Sequence, residues 1–360
     1  MSSSLRPPRR TALLVGINYR GTADELNGCY NDVVNVATYL RTVLGYAPSA
    51  ITMLTDGNRG STFPASVAPT RQNILAGLSA LVAGMVAGDE AVFHYSGHGT
   101  LVRDRNGDEV SGMDSCLCPL DYNASASAGG GVITDDEIRA LLVNRVPRGA
   151  RLYVILDCCH NGTGCDIRYK YEDFSVLLRP ATARTSPVWR TQQKAFVQGK
   201  YTDTVGEVYM ISGCRDEQTS ADAYINNAFA GALTYAIFAI LRANQAAIRT
   251  YSWSALLRDV RYFMRANRYD QIPQLMTGQL ITPAAAVFPG LTTVVAKRGV
   301  GGVGGGGSLQ LTSSSVNTNI RGISGTIETP NTTLLGFTLK PKSGSNNLAG
   351  PPRHSIQFFH

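Results

Sequence analysis

The stretch RLYVILDCCHNGTG, residues 151–164, decides the fold of this 360-residue chain. Its first part, residues 152–156, is apolar and rich in β-branched and aromatic side chains, a pattern that predicts a buried strand. Asp157, Cys158 and Cys159 follow at once, and a glycine-containing loop comes next. Because the active sites of open α/β sheets gather at the carboxyl ends of the strands, this junction is the first candidate for chemistry. A buried cysteine is also a small hydrophobic residue, so packing is the alternative interpretation.

A second stretch of the same kind, EAVFHYSGHGT at residues 90–100, predicts another buried strand that ends in a loop of small residues. His98 lies between two glycines in this loop, where its ring can reach into a cleft, and we interpret it as the general base. His94 lies inside the strand and is expected to be a core residue. His160 adjoins the two thiols in sequence, and such a neighbour rarely has the right angle to act as their base.

Alternate residues of an extended strand share one face of the sheet. Asp157 and Cys159 are therefore expected on one side and Cys158 on the other, which favours Cys159 as the nucleophile. Its thiolate would attack the scissile carbonyl once His98 has taken the proton. The backbone N–H groups of Gly99 and Cys159 are the natural donors to the resulting oxyanion.

Strands and helices alternate along the chain, which predicts an α/β fold with a central, mostly parallel sheet and helices on both faces. One helix is expected to begin near Asp32, and Asn31 or Asp32 could simply be its N-cap. Further strands are predicted at residues 11–18, 51–55 and 208–214, and further helices at residues 70–88, 228–241 and 254–265.

The motif SGHG at residues 96–99 and the motif DCCHNG at residues 157–162 each follow an apolar strand. Together they resemble the catalytic signature of the metacaspases, a family of caspase-like cysteine peptidases. The resemblance runs from about residue 10 to about residue 288 and fits type I, here without a long N-terminal prodomain. It implies a caspase-like sandwich and a Cys-His dyad. A non-proteolytic, calcium-responsive scaffold or chaperone-like protein with the same fold is the alternative.

The resemblance also implies a substrate pocket. Asp157 adjoins the nucleophile, and the metacaspase pattern places Asp32 beside it, with Cys29 and Ser96 lining the wall. Two carboxylates in a narrow pocket would bind Arg or Lys through charge-assisted hydrogen bonds. The implied partners are protein or peptide substrates with Arg or Lys at P1. A hydrolase of the same clan with other specificity, legumain-like or caspase-like, is a rival interpretation.

Calcium is the cofactor that the resemblance implies. The matching ligands are four aspartates: Asp114, Asp135, Asp136 and Asp166. Oxygen ligands from separate loops suit a hard cation such as Ca²⁺. The simpler alternative is that Thr134 caps a helix whose first turn is acidic.

Residues 104–109, with the sequence DRNGDE, begin like an EF-hand loop. Glu109 stands where the turn needs glycine, and Ser115 stands where the bidentate glutamate belongs, so the EF-hand interpretation fails. Cys116 and Cys118 have no partners at zinc spacing and are interpreted as structural.

Composition divides the chain into a short basic arm at residues 1–10, a peptidase domain at 11–288, and a glycine-rich linker and tail of unknown structure at 289–360. The domain comprises a large-subunit region at 11–170, a polar and basic linker at 171–206, and a small-subunit region at 207–288. A trypsin-like peptidase could process itself in the basic linker, for which a solvated loop is the alternative. The candidate processing residues are Arg179, Arg184, Arg190, Lys194 and Lys200.

Charge and cysteine content exclude several classes of protein. The net charge is +7, but the basic residues are scattered, so no nucleic-acid partner is expected. The seven cysteines and the lack of a secretory signal favour a reducing, cytoplasmic location without disulfides. No apolar run is long enough to span a membrane, so no membrane partner is expected. By analogy with the family, the chain is expected to be a monomer.

Overall fold

The structure, a computed structural model, describes residues 6–57, 68–109, 111–124, 131–158, 165–173, 189–193, 203–213, 222–225, 228–282 and 284–289. Several predictions concern residues outside these ranges. They are those for Cys159, His160, Arg179, Arg184, Lys194, Lys200 and most of the C-terminal segment.

An eight-stranded sheet forms the centre of the described fold. In sheet order its strands are β2 (Ile51–Thr55), β1 (Arg10–Gly16), β3 (Glu90–Ser96), β7 (Arg151–Asp157), β10 (Glu207–Ser212), β13 (Gln274–Thr277), β8 (Tyr169–Asp173) and β9 (Trp189–Gln193). The first five are parallel to one another, and the last three add antiparallel pairs at one edge.

Two small antiparallel sheets, five α-helices and three short 3-10 helices complete the described elements. The small sheets contain β4 (Gly99–Arg103), β5 (Met113–Leu117) and β6 (Ile133–Thr134) in one, and β11 (Asp222–Ile225) and β12 (Ala228–Gly231) in the other. The helices are α1 (Cys29–Thr42), α2 (Arg71–Val82), α3 (Asp135–Leu141), α4 (Ala232–Ala243) and α5 (Trp253–Ala266).

Each face of the central sheet has its own hydrophobic core. Leu152, Val154 and Leu156 of β7 belong to the cluster that α2 and α3 cover. Tyr153 of the same strand belongs to the cluster that α1, α4 and α5 cover. Burial on both faces explains why most of β7 is a continuous apolar sequence. The predicted fold class, a mostly parallel sheet between two helical layers, is confirmed.

The register of the parallel strands brings their carboxyl ends to one edge. Gly16 of β1 pairs with Ser96 of β3, and Ser96 pairs with Asp157 of β7. The loops that follow these strands therefore meet at a single place. The candidate site is built there.

The linker expected at residues 171–206 contains two pieces of sheet. β8 pairs with β13, and β9 pairs with β8 at the edge of the central sheet. Both strands are polar, and edge strands are held by backbone hydrogen bonds as much as by apolar packing. Their sequence therefore lacks the apolar pattern that identifies the inner strands.

Several element boundaries differ from the predictions. The helix expected at residue 228 is preceded by β12 and begins at Ala232. The helix after residue 70 ends at Val82, before Gly84, whose φ of 64° is outside the helical region. The first helix begins at Cys29.

No helix in the described ranges is long and apolar enough to cross a membrane.

Candidate active site

His98 lies in the turn between β3 and β4 and is half-buried. Its Nε2 atom is 2.8 Å from the backbone carbonyl oxygen of Asp24. A carbonyl oxygen only accepts hydrogen bonds, so Nε2 donates and the neutral ring keeps its lone pair on Nδ1. The hydroxyl of Tyr122 in turn donates to Asp24 Oδ2 at 2.5 Å. The loop that carries Asp24 therefore fixes both the orientation and the tautomer of this ring.

Two buried tyrosines hold the backbone of His98. The His98 N–H donates to the Tyr19 hydroxyl at 3.0 Å, and the Tyr19 ring lies 4.7 Å from the imidazole. The Tyr95 hydroxyl donates to the His98 carbonyl at 2.8 Å. Burial raises the pKa of both phenols well above their usual value, so both remain protonated donors. Sequence analysis missed both residues. The only available signal was that Tyr19 closely follows β1, whose carboxyl end adjoins that of β3.

Of the two adjacent cysteines, the structure describes Cys158. Cys158 is 1% exposed and packs in the same core cluster as Leu156. A buried thiol in that position cannot reach a substrate, and its place beside Leu156 agrees with the alternation argument, which puts Cys158 on the opposite face from Asp157. Cys159, the predicted nucleophile, lies outside the described residues.

The backbone of Gly99 is suited to donate a hydrogen bond into the cleft. Gly99 pairs with Leu117 across β4 and β5, and the Cys118 N–H donates to the His98 carbonyl. This pattern makes Gly99 and Leu117 a non-hydrogen-bonded pair of the ladder. The Gly99 N–H therefore points away from β5 and is not used by the sheet.

Asp32 and Asp157, the two predicted pocket acids, converge on Gly231. Asp32 Oδ2 accepts from the Ser96 hydroxyl at 2.7 Å and from the Gly231 N–H at 2.9 Å. Asp157 Oδ2 accepts from the Thr234 N–H at 2.8 Å. A Cβ added to Gly231 would overlap with Asp157 Oδ2 and would lie 2.7 Å from Asp32 Oδ2. The two carboxylates are therefore adjacent.

The amino end of α4 stabilises these two buried charges. Asp32 is fully buried and Asp157 is 4% exposed, and α4 directs its first N–H groups at both. Unpaired amides and the helix dipole favour anions at this position. Gly28, not Asn31 or Asp32, is the N-cap of α1. Asp32 instead turns into the pocket.

Cys29, the remaining predicted wall residue, is one turn before Asp32 on α1 and is 5% exposed. Its N–H donates to Asn18 Oδ1 at 3.0 Å. Sequence analysis missed Gly231, which it placed inside a helix. A glycine at the start of an apolar helical run was the signal for an N-cap.

A cluster of acidic residues is formed by β5, the start of α3, residues 104–109 and Asp166. Its carboxylates form three groups, in each of which one oxygen per residue lies within 4.8 Å of the others. The groups are Asp104, Asp108 and Asp114; Asp108, Asp136 and Asp166; and Glu109, Asp135 and Asp166. All four predicted calcium ligands are thus in the cluster, together with three residues that sequence analysis did not assign to it.

Secondary structure positions the acids of this cluster. Thr134 caps α3 and forms a capping box with Glu137, as predicted, and α3 begins at Asp135. Asp135 Oδ2 accepts from the Ser115 N–H of β5 at 3.0 Å. The guanidinium of Arg139 donates to the backbone carbonyl of Asp166. The capping alternative is therefore correct for Thr134, but it does not account for the inward-facing Asp135.

The cluster is electrostatically suited to a cation. Asp114 is 4% exposed, and burial together with the charges of Asp104 and Asp136 raises its pKa to about 6. Asp114 Oδ1 and both carboxylate oxygens of Asp108 are buried without a hydrogen-bond partner in the described ranges. Oxygen donors that lack protons to share are the ligands that hard divalent cations prefer.

The missed acids belong to residues 104–109, the segment with the EF-hand-like start. The EF-hand pattern fails there, yet its acids Asp104, Asp108 and Glu109 do lie beside the predicted calcium ligands. Among the candidate processing residues, Arg190 is in β9 and pairs with Glu172 of β8.

Comparisons with known proteins agree with this geometry. The family model for the metacaspase, peptidase C14 domain matches residues 10–168. Metacaspase-1 of Scheffersomyces stipitis is 33% identical over 296 residues, which cover 74% of this chain and 70% of that protein. Metacaspase-1 of Pyricularia oryzae is 35% identical over 295 residues, covering 74% and 71%. A crystal structure of a Geobacter sulfurreducens protein has a TM-score of 0.50 and 27% identity, covering 77% of this chain and 96% of that one.

Proposed function

The chain belongs to the metacaspase family and is a cysteine peptidase, and from this premise we propose that it cleaves proteins after Arg or Lys in a calcium-dependent reaction. The observation that carries the specificity is the convergence of Asp32 and Asp157 on Gly231. Protein substrates follow from the family, whereas the choice of P1 residue rests on this pocket.

The pocket acids support a basic P1 residue through charge and geometry. Two buried carboxylates repel an acidic side chain and pair with a guanidinium through two parallel hydrogen bonds. A Lys ammonium can bind the same pair but lacks the planar fork. The hydroxyl of Ser96 and the amide of Gly231 orient Asp32 for this contact.

The described residues support the following roles in the reaction. His98, held at Nε2 by the Asp24 carbonyl, takes the thiol proton of Cys159 on Nδ1. The thiolate attacks the carbonyl carbon of the scissile bond, and the Gly99 and Cys159 N–H groups donate to the oxygen. The protonated His98 then protonates the leaving amine. Water resolves the acyl-enzyme with His98 as the base.

Calcium would be held by the acidic cluster that contains Asp114, Asp135, Asp136 and Asp166. Bound there, it would supply positive charge that removes the repulsion between these acids. The cluster joins β5 and α3 to Asp166. Asp166 follows Cys159 closely in the sequence, so calcium bound to Asp166 would act on the chain next to the nucleophile. This placement supports the proposed calcium dependence.

Self-processing in the basic linker is part of the proposal. Arg190 lies in β9, which is paired with β8 in the sheet. A peptidase instead binds its substrate as an extended chain that is not already paired in a sheet. Cleavage is therefore expected after the basic residues outside β9. These are Arg179, Arg184, Lys194 and Lys200.

We also propose that the protein acts as a monomer in the cytoplasm. Within the described ranges, five cysteines form no disulfide, and all five are buried. Free thiols are typical of a reducing compartment. Light scattering of the purified full chain tests the oligomeric state.

The proposed activity is tested with fluorogenic peptides that end in Arg, Lys or Asp, assayed with and without millimolar calcium. We expect turnover after Arg and Lys that requires calcium, no turnover after Asp, and none in Cys159→Ala. Asp32→Asn should lower kcat/KM for the Arg peptide roughly 100-fold, because it removes a charge-assisted contact. The matched control is Asp89→Asn, since Asp89 is 1% exposed but binds Arg6 far from the pocket.

Each result decides one part of the proposal. Turnover after Asp would overturn the pocket assignment, and calcium-independent turnover would overturn only the metal dependence. Failure to turn over any peptide, with an inert Cys159, would favour the scaffold alternative.

A further inference from the structure

Asp108 is a buried acid without any compensating contact in the described structure. It is 1% exposed, and neither of its carboxylate oxygens has a hydrogen-bond partner among the described residues. A buried carboxylate that is neither paired nor hydrogen-bonded strongly destabilises the folded state. A fold retains such a group when something outside the chain binds it.

The position of Asp108 indicates what that ligand is. One of its oxygens lies within 4.8 Å of oxygens of Asp104 and Asp114, and one lies within the same distance of oxygens of Asp136 and Asp166. Only a cation would be attracted to a carboxylate surrounded in this way. Asp108 is the single residue shared by these two groups.

We propose that the acidic cluster binds two divalent cations side by side and that the Asp108 carboxylate bridges them. The inner cation is the calcium ion of the proposed function, on which this inference rests, with Asp136 and Asp166 among its ligands. The outer cation is bound by Asp104, Asp108 and Asp114. Residues 104–109 therefore form a second binding segment.

The number of charges supports two ions rather than one. The three groups contain seven carboxylates: Asp104, Asp108, Glu109, Asp114, Asp135, Asp136 and Asp166. One divalent ion would leave most of this charge uncompensated. Calcium accepts six to eight oxygens, but the seven acids fall into three groups and no one group contains them all.

The loop at residues 104–109 is already shaped for the outer position. Asp104 Oδ1 accepts from the N–H groups of Asn106 and Gly107 at 2.8 and 2.7 Å, and its Oδ2 accepts from the Glu109 N–H at 3.0 Å. A carboxylate has about four lone-pair sites, so Oδ2, which accepts this one backbone hydrogen bond, is able to bind a metal as well. Asp104 thus holds the loop in a turn that places Asp108 between the inner and the outer cation positions.

The test counts bound ions in the full-length chain, in a Cys159→Ala background that prevents self-cleavage. Chelator-treated protein is dialysed against calcium, and bound metal is measured by atomic emission and native mass spectrometry. We expect two calcium ions per chain, and at most one in Asp108→Asn. The ion that remains should bind roughly tenfold more weakly.

Thermal unfolding without metal provides a readout that does not depend on activity or on calcium. Asp108→Asn removes a buried charge and breaks no hydrogen bond to any described residue, so it should raise the melting temperature of the metal-free chain. In saturating calcium the same variant should melt below its parent. Asp89→Asn, a buried acid with Arg6 as its partner, should lower the melting temperature in both conditions and still bind two ions.

A single bound ion in the parent chain, retained with unchanged affinity in Asp108→Asn, would overturn the inference and leave the calcium dependence of the peptidase intact. Two bound ions combined with calcium-independent turnover would support the inference and overturn that part of the proposed function. A metal-free Asp108→Asn chain less stable than its parent would also count against the inference.

Discussion

The Nε2 atom of His98 lies 2.8 Å from the carbonyl oxygen of Asp24. A backbone atom therefore fixes the tautomer of the proposed base, which in serine peptidases is the task of a buried aspartate. The Asp24 carboxylate itself points to the Tyr122 hydroxyl. The side chain of Asp24 is thus one step removed from the imidazole.

This relationship predicts a small effect for Asp24→Ala. The carbonyl remains after the substitution, so kcat/KM should fall less than about tenfold, whereas loss of a triad aspartate costs about 10⁴-fold. Tyr122→Phe removes the other half of the same hydrogen bond and should have a similar effect. A loss of activity comparable to that of His98→Ala would show that the Asp24 side chain acts directly on the ring.

Tyr19→Phe should impair catalysis while leaving the protein folded. The substitution leaves the buried His98 N–H without its acceptor, so the His98 loop should become less well positioned. We expect kcat to fall roughly tenfold with little change in KM, because the tyrosine does not line the pocket. Tyr39→Phe is the control, since the buried Tyr39 hydroxyl has no hydrogen-bond partner in the described ranges. Equal effects of the two substitutions would argue against a positioning role for Tyr19.

Gly231→Ala should damage the substrate pocket directly. The added methyl overlaps with Asp157 Oδ2 and crowds Asp32 Oδ2 at 2.7 Å, so at least one carboxylate must move. We expect kcat/KM for an Arg peptide to fall by roughly 10- to 100-fold. Gly57→Ala, whose Cβ would lie 3.3 Å from Tyr30 Cβ, is a matched glycine substitution outside the pocket. Unchanged turnover by Gly231→Ala would contradict the assigned pocket.

The stability of the fold should fall with pH below about 6.5 because of His94. Burial lowers the pKa of His94 to about 3 from its usual value of 6.5, and its Nε2 lies 3.0 Å from the Thr234 hydroxyl. Between these two pKa values the unfolded chain binds a proton that the folded chain does not. The folded state therefore loses up to about 1.4 kcal/mol per pH unit as the pH falls through this window.

His94→Gln keeps a hydrogen-bonding group near Thr234 and removes the titration. The free energy of unfolding, measured with urea between pH 8 and pH 4, should depend less steeply on pH in this variant than in the wild type. The unfolding free energies of the variant and the wild type should differ most at the acid end of the range. Parallel pH profiles would mean that His94 is protonated in the folded state.

The sequence predicted the inner sheet more accurately than its edges. β3 and β7 are apolar on both faces, so their buried position could be identified from composition alone. β8 and β9 are polar: β8 pairs with β13, a strand about 100 residues away in the chain, and β9 pairs with β8. Long-range pairing of this kind leaves no local pattern in the sequence.

By itself, the sequence determined the order of the strands along the chain, the layered α/β class and the identity of the chemical groups. These depend on side-chain type and on local periodicity. Only the tertiary structure decided which acids meet. Asp32 and Asp157 converge because α4 begins between them, and Asp108 joins the predicted calcium ligands because β4 and β5 fold its loop back towards α3. The tautomer of His98 was likewise decided in space, since the Asp24 carbonyl that fixes it is a backbone atom present at every residue and therefore invisible in the sequence.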